Sequence, residues 1–169
     1  MNLTKLKWTK NINHKGDKDW AYRDIEPNSK IFLLHWKNDQ KENARKPKEG
    51  EFILLRQRTK VTHIVKILNN TLYNNCFSND FNICRLVQAS WMVDYWNVPP
   101  EQNIVFDYDV HLEGGKVMGL ETPKFREHWD KRGGLQAFQK HVQKVLNLES
   151  KWQPSFLELC DIDESDRTH

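Results

Sequence analysis

Two apolar runs, residues 51–58 (Glu51-Phe52-Ile53-Leu54-Leu55-Arg56-Gln57-Arg58) and 61–68 (Val61 to Leu68), stand with only Thr59-Lys60 between them. A gap that short leaves no room for a crossover, so the pair predicts an antiparallel hairpin. Neither turn residue is a favoured primed-turn type. Shorter runs flank the hairpin. Ile31 to Trp36 reads as a buried strand, and Ile83 to Trp91 as a longer one ended by Pro99-Pro100. On that longer strand Val87, Ala89, Trp91 and Val93 share a face at period two. Ile104-Val105-Phe106 and Lys116-Val117-Met118 read as short strands around the Gly114-Gly115 turn.

A helix is expected after Gly133-Gly134, where Leu135, Phe138, Val142, Val145, Leu146 and Leu148 form a stripe of period 3.6. A shorter one is expected over Pro123 to Trp129. Five or six strands with few helices predict an α+β fold, a curved, largely antiparallel sheet or small twisted barrel with helices packed outside. The 169 residues suit one domain over 29–157, with a polar N-terminal extension at 1–28 and an acidic tail or linker at 158–169. Lys37 to Gly50 reads as a long polar loop, a length usually tied to function.

No run of 18 apolar residues is present, so no membrane span is expected. The first residues lack an apolar stretch and a small-residue cleavage site, which points to a cytoplasmic protein. Cys76, Cys84 and Cys160 are odd in number without a C-x-x-C pair, which argues against a disulfide framework and a zinc ribbon. The seven histidines show neither H-x-x-x-H nor H-E-x-x-H, and no P-loop or nucleophile elbow occurs. Glu149-Ser150-Lys151 matches half of a nuclease core but reads as a solvated helix end. No enzyme, metal or cofactor is expected.

Charge is the informative feature. Residues 1–60 carry 15 Lys and Arg against 8 Asp and Glu, whereas the rest of the chain is net negative through its last twelve residues. Lys37, Lys41, Arg45, Lys46 and Lys48 lie in the polar loop, and Arg56, Arg58 and Lys60 at the hairpin end. Such positions can follow a phosphate backbone without reading sequence. Seven tryptophans accompany this charge, and a basic stretch with interleaved aromatics favours a nucleic-acid partner. Trp91 belongs to the core by its face, while Trp36 and Trp96 suit core and site equally.

The order of these segments is specific. A strand ends in Trp36, a polar loop follows, and Pro47-x-x-Gly50-Glu51-Phe52-Ile53-Leu54-Leu55 leads into the hairpin. Arg85-Leu86-Val87-x-Ala89-x-Trp91 and Pro99 come next, then a C-terminal strand and helix. This layout, over roughly Ser29 to Leu148, resembles the PUA-like superfamily, in particular EVE and YTH domains, departing at Glu51, where Asp is usual. The resemblance implies a small barrel and a cleft that takes one flipped, modified (methylated) base between aromatic side chains. By position, Trp36 would be one wall and Tyr73 or Phe77 the opposing one. Asn38 and Asp39 would bond the base edge, and Trp91 or Trp96 would form the floor. The resulting expectation is a non-enzymatic reader of nucleic acid, DNA ahead of RNA. Similar bacterial domains are joined to nucleases or NTPases of restriction and defence systems, so an effector domain is a further expectation. The alternative is a protein-interaction or small-ligand regulatory module that uses the same cleft.

Overall fold

A computed structural model of the chain describes residues 1–12, 19–74 and 80–148. Six strands, β1 (Leu6–Asn11), β2 (Ile31–Trp36), β3 (Phe52–Gln57), β4 (Lys60–Ile67), β5 (Ile83–Met92) and β6 (Val117–Gly119), form one sheet in the order β2-β5-β4-β3-β1-β6. All neighbouring pairs are antiparallel except β1 with β3. The sheet is therefore mixed, and it curls into a half-barrel. The domain begins earlier than the composition suggested. Residues 6–11, expected in an extension that wraps the fold, form a strand between β3 and β6.

The two faces of the sheet carry separate cores. Ile53 and Leu55 point into one and Leu54 into the other, which explains the unbroken apolar run of β3. The outer core lies under α2 (Gln102–Phe106), α3 (Pro123–Trp129) and α4 (Gly134–Val145). Phe138 and Val142 are buried there, as the stripe on α4 requires. Thr122 caps α3 by accepting from Phe125 N at 3.3 Å, with Pro123 in the first turn. The inner core unites Leu34 and Trp36 of β2 with Val117 of β6. The two edge strands of the sheet thus share one cluster, and the curl closes around it.

Three local readings change. Ile104-Val105-Phe106, expected as a strand, lies in α2. The polar loop after β2 folds into a 3-10 turn at Asn38–Gln40 and the single-turn helix α1 (Lys41–Ala44). The hairpin turns on Arg58 and Thr59, both at positive φ (51° and 62°), the geometry of a primed turn without its usual residues. A bulge also redirects Trp91. Trp91 pairs with Ile64 and Ala89 with Val65, so Ser90 is the extra residue. Trp91 therefore packs against the outer core, while Val87 and Ala89 stay in the inner one.

Candidate functional site

The seam between β2 and β6 is closed at one end by a side chain. Trp36 Nε1 donates to Asn43 Oδ1 at 2.9 Å, and Val117 N donates to the same oxygen at 2.8 Å. Asn43 Nδ2 returns a bond to Val117 O at 2.9 Å. The carboxamide pairs with β6 as a strand residue would. Arg85 of β5 fixes the same segment from below, donating to Ala44 O and Pro47 O at 2.7 Å and to Asn69 O at 2.8 Å.

Away from Asn43 the seam stays open and forms a cavity of about 530 Å³. Its walls are Phe32 and His35 of β2, Lys10 of β1, Tyr22, Phe81 and the Gly114-Gly115 turn. Asp24, Glu26 and Lys37 also border it. Lys10 is only 4% exposed. Its Nζ donates to Gly115 O at 2.6 Å and lies 5.0 Å from the centre of the Trp36 ring. Among the described residues no ion pair involves Lys10. Burial without a carboxylate partner pulls its pKa down to about 7.

The rings around this cavity form a continuous array. Tyr22 stacks near Phe32 at 4.6 Å and near His35 at 5.8 Å. His63 links Phe32 (5.9 Å) to Trp96 (5.6 Å), and Trp96 meets Trp20 at 6.1 Å. Arg58 lies 5.1 Å from the Trp20 ring and Arg23 6.0 Å from that of Trp96. Tyr95, adjoining Trp96 in the chain, is 72% exposed.

The buried polar groups of the array are fixed by hydrogen bonds. His63 Nε2 donates to Tyr22 O at 3.0 Å, which leaves Nδ1 to accept from Thr62 Oγ1 at 2.8 Å. His35 N donates to Tyr22 Oη at 3.1 Å. Burial lowers the pKa of both histidines to about 4, with the Lys10 charge adding to the effect at His35. Burial raises that of Tyr22.

The expected site residues are scattered by comparison. Trp36 is fully buried in the inner core, not at a cleft mouth, because Asn43 holds its indole inward. Trp91 belongs to the outer core. Asn38 accepts from Asn82 N at 2.8 Å, and Asp39 is exposed on the same turn. Tyr73 pairs with Cys84 and accepts from Asn69 Nδ2 at 2.9 Å. None of these five, nor Trp96, borders the cavity. Phe77 lies outside the described residues.

Of the basic set, Lys37 borders the cavity, and Lys41, Arg45 and Lys46 are exposed close behind it in sequence. Arg56 is buried, donating to Thr9 Oγ1 at 2.8 Å and Gln102 Oε1 at 3.1 Å, so it braces β1 and α2 and faces no phosphate path. Lys60 pairs with Glu101. Arg58 and Trp96 do meet, through Trp20. Cys84 is buried and disulfide-bonded, whereas the odd cysteine count argued against a disulfide framework.

Lys10 and Tyr22 escaped the sequence reading. The available signal was Trp8, Lys10 and Ile12 at period two, a lysine in the inward register of a strand. No described helix is long and apolar enough to cross a membrane. No family model, curated protein or solved structure matches the chain.

Proposed function

We propose that the chain is a non-enzymatic nucleic-acid-binding module of the PUA-like kind that takes a flipped, modified base into the cavity between β2 and the Gly114-Gly115 turn. The observation that carries this reading is the continuity of the ring array. The cavity wall at Tyr22 and Phe32 runs through His63 to Trp96 and Trp20, where Arg58 and Arg23 lie over the rings. An aromatic pocket beside an aromatic and arginine-bearing surface suits one base held inside and its neighbour stacked outside. Each stacked base returns roughly 1–3 kcal/mol, enough to offset the few kcal/mol of unstacking. Lys37, Lys41 and Arg45 supply cations for the backbone on the other side of the mouth.

The test is anisotropy titration with matched modified and unmodified oligonucleotides, DNA and RNA, across a salt series. Binding should weaken with salt and favour the modified strand. One observation favours the second reading, a small-ligand regulatory module: Asp24 and Glu26 border the same cavity and would repel phosphate. Absence of any salt dependence would select that reading.

A further inference from the structure

Lys10 gives the cavity a chemical preference. A lysine side chain is a hydrogen-bond donor, with three N–H groups when charged. One of them is taken by Gly115 O, and no carboxylate pairs with the rest among the described residues. No other hydrogen bond to Nζ forms among the described residues. The Trp36 face lies on one side, and the apolar walls of Ile12, Ala21 and Phe32 belong to the same cavity. An entering group that accepts a hydrogen bond at Nζ completes this arrangement. While Lys10 is protonated, an entering amino group sets donor against donor and gains no bond at Nζ.

We propose that Lys10 is the specificity-determining residue of the cavity and selects a planar heterocycle whose leading edge carries a carbonyl oxygen over one that carries an amino group. The wall that Tyr22 and Phe32 form together lies along one face of the ring, and the Lys10 ammonium donates to the carbonyl. The proposal rests on the reading of the cavity as a base pocket and narrows it to keto-edged bases. It needs no covalent step.

Two isosteric comparisons test it. Oligonucleotides with a single unpaired uracil or cytosine, and with hypoxanthine or adenine, differ at the reading edge in carbonyl against amino. At pH 6, where Lys10 is mostly protonated, wild-type protein should bind the carbonyl member of each pair about tenfold or more tightly. Lys10→Met, which keeps the length of the side chain without its donors, should bind both members alike. Lys37→Ala should weaken both members equally and keep the ratio. Equal wild-type affinities overturn the proposal whether or not the Met variant folds, and so does a carbonyl preference that survives in Lys10→Met. Failure of every oligonucleotide to bind removes the base-pocket reading itself and the preference with it. Binding without discrimination removes the preference alone.

Discussion

The carboxamide of Asn43 and the backbone of Val117 exchange two hydrogen bonds, at 2.8 and 2.9 Å, across the gap between the edge strands of the half-barrel. The same oxygen takes the indole N–H of Trp36. One side chain therefore does the pairing work of a missing strand residue. It also decides where the seam closes and where the cavity begins.

Replacing Asn43 by Leu should strand the Trp36 N–H and both backbone groups of Val117 in a site with little access to water. Buried groups left in this way cost about 1–3 kcal/mol each when solvent does not reach them. A loss of roughly 2–5 kcal/mol is expected in urea unfolding. Wild-type stability in the variant would show that Val117 finds another partner and that the seam does not depend on Asn43.

Lys10 should reduce stability at neutral pH. Its folded pKa of about 7 lies below the ordinary 10.5, so the unfolded chain binds the proton more readily. Stability then rises with pH from about 7 to 10.5, and the full contribution is reached only above that window. Lys10→Met should therefore be more stable than wild type at pH 7, by roughly 1–4 kcal/mol. The advantage should shrink by pH 9. Urea unfolding of both proteins at the two pH values checks this, and a constant difference would mean that the amine is not desolvated.

His35 and His63 work in the same direction at lower pH. Both have folded pKa values of about 4 against an ordinary 6.5. Their contribution is complete above pH 6.5 and is lost as pH falls towards 4, at up to about 1.4 kcal/mol per pH unit for each. Urea midpoints at pH 7, 5.5 and 4.5 should fall accordingly. His63→Gln should flatten the slope, since its own titration is removed. An identical slope in the variant would assign the acid sensitivity elsewhere.

The legible parts of the fold are those set by local periodicity. The β3–β4 hairpin, the long β5, and the stripe that buries Phe138 follow from patterns of two and 3.6. β1 was illegible because its pairing with β3 is parallel and joins residues about 45 apart in the chain, a relation no local pattern encodes. Trp91 was misplaced because one extra residue, Ser90, reverses the alternation beyond it. The cavity was hidden for the same reason as β1. Lys10, Tyr22, Phe32 and Gly115 meet only after the sheet curls. Charge pointed to the Lys37 side of the mouth, but charge alone could not separate exposed Lys41 from buried Arg56.

The sharpest separation of core from site lies two turns of alternation apart on β2. Trp36 is fully buried and bonded to Asn43, whereas Phe32 is partly exposed, packs on Tyr22 at 4.6 Å and borders the cavity. Removing the Trp36 ring leaves a large void and takes one of the two donors from Asn43 Oδ1, so Trp36→Ala should lose about 3–5 kcal/mol of stability. Removing the Phe32 ring opens a wall that solvent already reaches, and the loss of stability should be smaller, about 1–2 kcal/mol. Ligand binding should order the two variants the other way. Phe32→Ala should raise the dissociation constant of an oligonucleotide by the equivalent of roughly 1–3 kcal/mol at a temperature where it remains folded. Thermal melts paired with anisotropy titrations decide it. A Phe32→Ala protein that binds as wild type does would take the base out of this cavity and leave the Trp20–Trp96 surface as the place to look.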